Sequence, residues 1–373
     1  MSEAFGRARA ELDLMILMSN AILAPNRGRG LGSLITYGTS LRSMRLALGF
    51  NPIFSAADAA RTAASAESLG YDSVWMHESL FQRDIVTYLS AMALSTKRIR
   101  LASGVINTFT RHPVTAASTF ATLSELSEGR AILGLGLGSF PTIPLIGHKI
   151  FPVAETKPLR RIKEYVEVMR RVWSGEKVDY EGEFFKVHNL TLGFKPKYPV
   201  PLFIASLSPK TQEFAATTAD GVILSPAFNT AWGTERMVEN VKRGESKRGA
   251  KVERASYMMA SLDPSPEKAK AYMRDYYFFV YQLAEVVRPE VLAPYGVTEE
   301  MLKPMKEAWK EGDVPGAKKL IPEKAIETLT LTGNGDHAAE RLKEYQKAGV
   351  TLPIVMPVGN VEYAMKELAP GPA

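Results

Sequence analysis

The chain has 373 residues, 46% of them hydrophobic and 23% charged, which is enough apolar surface for a sizeable core and excludes a disordered chain. It contains no cysteine, so disulfides, thiolate metal sites, iron–sulfur clusters and a cysteine nucleophile are excluded. A net charge of +6 admits acidic ligands, but aromatic residues are not interleaved with a dense basic run, and nucleic acid is not an expected partner. The histidines (His77, His112, His148, His188 and His337) lack the spacing of helix-borne zinc ligands, and no metal is expected.

Residues 1–43 differ from the remainder. They carry Arg7, Arg9, Arg27, Arg29 and Arg42 but no lysine. The apolar stretch Leu12–Leu23 is interrupted by Asp13 and Asn20 and is too short to span a bilayer. It has no small-residue cleavage pattern, so export is not indicated and a cytoplasmic protein is expected. The segment reads as an N-terminal extension, flexible or not native. A helix over Glu11–Leu23 docking on a partner subunit is the other reading.

From Met44 the punctuation is βαβα. Arg45–Phe50 reads as a buried strand, and Ser55 with Asp58 opens a helix that Gly70 ends. Asp72–Met76 is the second strand, Ile85–Thr96 a helix and Ile99–Val105 the third strand. Pro113 opens a helix closing at Gly129, and Arg130–Leu135 is the fourth strand. Thr156–Trp173 is amphipathic, and Val178–Val187 reads as a hairpin insertion. Leu202–Ala205, Gly221–Ser225, Ala255–Leu262 and Pro353–Pro357 supply four more strands, with a helix over Asp336–Gly349. Residues 264–332 form a long helix-prone insertion, and 361–373 a C-terminal tail. Eight strands alternating with helices predict a single (β/α)8 TIM barrel over 44–360, not an open doubly wound sheet.

In such a barrel the chemistry belongs at the C-terminal ends of the strands. The run Gly134–Ser139 lacks the dinucleotide spacing. Its glycines, with Gly136 and Gly138 central, suit either close ligand approach or tight barrel packing. Ser206, Leu207, Ser208 and Lys210 precede or open a helix at Pro209, a phosphate site or an ordinary serine cap. After the third strand, Arg111 could pair with an anionic cofactor tail and His112 could relay a proton, or both could only cap a loop. Glu78 is the preferred acid–base group, with an ion pair to Arg83 or Arg111 as the structural alternative.

Taken in order, DSVWMHE at 72–78, GVINTFTRHP at 104–113, LSEGRAILGLGLGS at 126–139 and YEGEFF at 180–185 resemble the luciferase-like family of flavin- and deazaflavin-dependent oxidoreductases. FIASLSPKTQEFAATTADGVIL at 203–224 and AAERLKEYQKAGV at 338–350 continue the likeness. The TRHP and SPK runs most resemble the branch that uses coenzyme F420, especially methylenetetrahydromethanopterin reductases. The resemblance implies a barrel of the bacterial luciferase type, a homodimer, and a deazaflavin in the barrel mouth. It further implies a non-prolyl cis peptide at Gly104–Val105 behind the ring, Asn107 at the ring's polar edge, and the phosphate on the glycine-rich turn through Ser139 and on Ser206–Lys210.

Departures from the family's pattern bear on the substrate. An acid–histidine pair after the second strand appears here as Glu78-Ser79, and His77, one residue early, is expected to point away from the site. Reductases that use methanopterin carry acids where this chain has Gly49 and Ser139. The expected function is an F420-dependent oxidoreductase moving a hydride to or from a small organic substrate, with Glu78 and His112 as proton carriers. The alternatives are an FMN-dependent monooxygenase on the same fold and a non-catalytic flavin-binding protein.

Overall fold

The computed structural model describes residues 44–79, 82–138, 143–148, 153–224 and 230–371. The extension read at 1–43, Ser139, and the strand end 225–229 lie outside the described residues.

The first half is built from β1 (Ala47–Phe50), α1 (Ala56–Ser68), β2 (Ser73–Met76), α2 (Ile85–Ser95), β3 (Arg100–Ser103), β4 (Ile106–Asn107), α3 (Pro113–Leu126), β5 (Ala131–Gly136) and α4 (Pro158–Trp173). A two-stranded antiparallel hairpin, β6 (Val178–Glu181) with β7 (Lys186–Leu190), follows. Next come β8 (Leu202–Ala205), α5 (Pro209–Thr218), β9 (Gly221–Ile223), α6 (Ala231–Arg248) and β10 (Glu253–Leu262). The insertion contains α7 (Pro266–Asp275), α8 (Tyr277–Glu285), α9 (Pro289–Leu292), α10 (Glu299–Lys310), α11 (Val314–Lys319) and α12 (Glu323–Leu329). The chain closes with β11 (Leu331–Gly333), α13 (Gly335–Lys347), β12 (Leu352–Pro357) and α14 (Val361–Glu367).

Strands β1, β2, β3, β5, β8, β9, β10 and β12 pair in parallel in that order, and β12 returns to β1 through Ile354↔Ala47, so the sheet closes into the expected barrel. Period-two alternation splits each strand between two cores. Ala47, Trp75, Ala102, Ile132, Phe203, Ile223, Tyr257 and Ile354 fill the interior, while Leu48, Val74, Met76, Leu101, Leu133, Ile204 and Val355 lie under the helices. Trp75 meets Phe203 edge-on, with ring centroids 5.2 Å apart. The N-terminal end of the barrel is occupied by a charge cluster in which Asp72 and Glu253 pair with Arg45 and Arg100.

Several boundaries differ from the sequence reading, each for a local reason. The third strand ends at Ser103, and a cis peptide joins Gly104 to Val105 just beyond it. The next two residues, as β4, pair with β5 instead. The insertion ends in an unforeseen short strand, β11, which extends the sheet beside the last residues of β10. The segment read as a tail from 361 is the barrel's final helix. Ala364 and Leu368 are buried, and the Tyr71 hydroxyl donates to the Met365 carbonyl at 2.9 Å. Among the described residues no helix is long and apolar enough to cross a membrane, and no cluster of three or more metal-ligating side chains occurs.

The turn into β3 depends on one carboxylate. Glu67 Oε2 accepts from the main-chain N–H groups of Lys97, Arg98 and Ile99 at 2.9, 2.6 and 2.9 Å. Burial alone would raise the Glu67 pKa, but these donors outweigh it and hold it below the usual carboxylate value. Its contribution is therefore complete above the unfolded-state pKa and is lost as pH falls through the lower folded value. We expect Glu67→Gln to reduce stability by about 1–2 kcal/mol in urea unfolding at neutral pH, with the difference from wild type shrinking under acid.

Candidate active site at the C-terminal mouth of the barrel

Glu78 follows β2 and its side chain is only 8% exposed. Its Oε1 accepts from Arg111 Nε at 2.9 Å, and Oε2 accepts from the Asn107 side-chain and main-chain nitrogens at 2.8 and 3.2 Å. Asn107 is engaged at its other end as well, its Oδ1 accepting from the N–H groups of Phe109 and Thr110, both at 2.9 Å. Arg111 turns its remaining fork to Asp84 at 2.6 Å. Burial works against the Arg111 charge, but the two carboxylates outweigh it and raise its pKa.

This network joins the ends of β2 and β4 to the start of α3. Glu78 takes the structural alternative of an ion pair with Arg111, its two oxygens accepting three hydrogen bonds in all. Arg111 pairs with two carboxylates, and the Asn107 amide nitrogen donates to one of them. His112 is the N-cap of α3: Nδ1 accepts from the Val114 N–H at 3.3 Å, and the ring packs edge-on against Phe185 of the hairpin. Burial lowers its pKa. Among the described residues no hydrogen bond joins it to Glu78.

The glycine run serves the bulge between β3 and β4. A Cβ at Gly136 would lie 2.8 Å from Val105 Cγ2, and one at Gly138, whose φ is +82°, would lie 2.7 Å from Asn107 Cβ. The packing reading thus accounts for both. Their absent side chains let Gly104–Asn107 lie flat against β5.

The Ser206–Lys210 loop is different, because it is open. Ser206 Oγ accepts from the Ser208 N–H at 3.0 Å, and the Ser206 carbonyl accepts from Gln212 Nε2 at 2.9 Å, which fixes the loop's shape. Ser208 is the N-cap of α5 but makes no side-chain cap bond. Leu207, Ser208 and Lys210 are exposed, and among the described residues Lys210 has no ion-pair partner. A free lysine and serine hydroxyls at a helix start form a donor set suited to a phosphate or phosphodiester.

Two interior residues escaped the sequence reading. His77 does not point away. It shares the axis-facing side with Trp75, two residues earlier, and its ring lies 4.7 Å from that of Tyr257. Its main-chain N–H and Nδ1 both approach the Phe50 carbonyl, at 2.9 and 3.2 Å. Burial lowers its pKa to about 4, the Phe50 carbonyl opposing only in part. The Tyr257 hydroxyl donates to the Gly104 carbonyl at 3.1 Å, and burial pushes its pKa far up. Counting by twos from Trp75 puts His77 on the axis side, whereas Glu78 lies past the strand's end. At the rim, Asn51 Nδ2 donates to the Tyr276 hydroxyl at 2.9 Å, so the helical insertion is tied to the mouth. Burial raises the Tyr276 pKa to about 12 against the opposing effect of Asn51.

Tyr257 also explains Gly49. A Cβ at Gly49 would lie 2.8 Å from Tyr257 Cε1, 3.0 Å from Met356 Cγ and 3.1 Å from Ile354 Cγ2. The volume available to a side chain there is already filled by the tyrosine ring. We expect Gly49→Ala to reduce stability by about 1–3 kcal/mol through overpacking, and by less in a Tyr257→Leu background, as measured by urea unfolding of the four proteins of that cycle.

Comparison with known proteins places this arrangement. A family model described as luciferase-like monooxygenase matches residues 28–352, beginning before the boundary read at 44. The 5,10-methylenetetrahydromethanopterin reductase of Archaeoglobus fulgidus is 31% identical over 318 residues, covering 82% of this chain and 92% of the relative. An F420-dependent glucose-6-phosphate dehydrogenase of Intrasporangium calvum is 27% identical over 305 residues, covering 79% and 87%. Among solved structures, the coenzyme F420 dependent tetrahydromethanopterin reductase of Methanopyrus kandleri superposes with a TM-score of 0.77 at 24% identity, over 87% of this chain and 97% of that one.

Proposed function

Because the chain belongs to the luciferase-like monooxygenase family, we propose that it is an F420-dependent oxidoreductase moving a hydride between the deazaflavin and a small organic substrate. The observation that carries the reading is its likeness, along most of its length, to two different kinds of F420-dependent enzyme, a reductase and a dehydrogenase. A pterin-bound one-carbon substrate has less support, since Tyr257 occupies the space beside Gly49 where an acid would have to fit.

The residues present suit the cofactor. Ser206, Ser208 and Lys210 would hold its phosphodiester at the start of α5, and the Gly104–Val105 turn would back its ring. Gly136 and Gly138 would act through the packing of that turn, and Asn107, Arg111 and Glu78 from behind it. When bound, the deazaflavin supplies the hydride chemistry. The protein's own work is to bind, orient and exclude water. FMN carries a phosphate that the same loop could hold, so binding of the two cofactors is the deciding experiment. F420 should bind tightly and FMN weakly. Lys210→Ala should weaken F420 by about tenfold or more, as expected for loss of a charge-assisted hydrogen bond of about 1.5–3 kcal/mol. FMN preference would replace this reading with a flavin monooxygenase, and binding of neither with a non-catalytic protein.

The proposed quaternary state is a homodimer, and the cysteine-free chain is assigned to the cytoplasm. Helix α2 carries no charged residue and α3 none before Glu125. Leu94 and Leu126, near the C-terminal ends of these helices, are 71% and 42% exposed. Two copies meeting over these faces would cover both. The Leu94→Glu, Leu126→Glu double variant should elute and scatter light as a monomer where wild type is a dimer.

A further inference from the structure

We propose that Arg161 is the receptor for the carboxylates of the cofactor's oligoglutamate tail, and that it thereby favours F420 over FMN. The proposal rests on the F420-dependent reading and deepens it. FMN ends at its phosphate, whereas F420 continues past its phosphodiester through a lactyl group into glutamates, each bearing a carboxylate.

Arg161 lies near the start of α4 and is partly buried. Its guanidinium carbon is 4.5 Å from the ring centre of Phe109 and 4.1 Å from that of Phe184, with Phe185 at 5.7 Å. Both nearer walls are fixed through their main chains. The Phe109 N–H donates to Asn107 Oδ1 at 2.9 Å, and the Phe184 N–H to Glu164 Oε2 at 2.8 Å. Ring faces attract the cation, but the N–H groups of a guanidinium lie in its own plane and still need acceptors. Among the described residues none supplies one: Nε is buried without a partner, and Arg161 forms no ion pair. Burial lowers its pKa, with Glu164 opposing. Glu164, three residues on, is already engaged, its Oε1 accepting from Arg160 Nε and the Glu183 N–H at 2.8 and 3.1 Å. The nearby cation Lys157 differs, since Glu183 pairs with it at 2.5 Å. A partly buried guanidinium with unused donors is costly until an anion completes it. Its planar fork matches a carboxylate.

The fold sets the distance to the phosphodiester loop. β5 and β8 are paired, so the helices that follow them, α4 and α5, start side by side at the mouth. Lys163 of α4 stands over the Phe214 ring of α5, 5.3 Å from its centre. Neighbouring helices lie on the order of 10 Å apart, a span that about three extended residues cross at roughly 3.5 Å each. A tail leaving Ser206–Lys210 can therefore reach Arg161, and a phosphate held on that loop cannot.

Equilibrium binding of three ligands tests the assignment: F420 with its glutamates, the shorter form of F420 that ends at the lactyl group, and FMN. The one carboxylate of the shorter form stays beside the phosphodiester. Wild type should bind full-length F420 about tenfold or more tighter than the shorter form, as expected for a charge-assisted hydrogen bond. Arg161→Gln should abolish that preference and leave the shorter form and FMN unchanged. Arg161→Lys, which keeps the charge without the fork, should retain part of it. In wild type, potassium chloride should weaken full-length F420 more than the shorter form. A wild type with no preference for the tail, or with equal salt dependence for the two forms, overturns the assignment. So does an Arg161→Gln protein that keeps the preference, or one that binds all three ligands equally more weakly, since Arg161 would then only support the fold. A wild type that binds neither form of F420 instead removes the reading on which the proposal stands, and the proposal with it.

Discussion

Closure of eight parallel strands gives every strand one face toward the axis, and the chemistry of the mouth follows from which residues that face carries. The closing contact is the pairing of β12 with both β10 and β1. Once it forms, alternation leaves no choice. Trp75 and His77 go inward together, as do Gly49 and Tyr257, while Leu48, Val74 and Met76 go beneath the helices. A slip of one residue in any strand would exchange the two sets.

Inside that frame the volume is contested. Tyr257 stands near the axis with its hydroxyl on the Gly104 carbonyl and its ring against His77. Its neighbours make room: a Cβ at either Gly49 or Gly104 would collide with it. The Glu78–Asn107–Arg111 network performs the complementary task outside the barrel axis, holding the turn after β3 from behind. Glu78 and Arg111 are thus hydrogen-bonded to each other across the mouth. The Ser206–Lys210 loop, with Leu207, Ser208 and Lys210 exposed, is open at the same mouth.

Much of this was legible in the sequence. The alternation of strands and helices, the cap at Ser55, the helix start at Pro113, and the hairpin around Glu181-Gly182 follow from local chemistry and match the structure. The site was less legible because its key facts are relational. That Arg111 is consumed by Glu78 and Asp84 depends on loops brought together by barrel closure, across 33 and 27 residues of chain. That Gly49 is a glycine because of Tyr257 depends on two strands far apart in sequence. The orientation of His77 follows from period-two alternation counted from Trp75 and not from Glu78, which lies beyond the strand. β11 was missed because three residues at the end of a helical insertion carry no periodic signal.

The most direct test of the central claim is a crystal structure of the protein with oxidised F420. The ring should lie against Gly104–Val105 with His77 on the axis side, and the phosphodiester on Ser206–Lys210. The Glu78–Arg111 pair should be intact behind them. A phosphodiester bound instead by Arg111, with that pair broken, would contradict it.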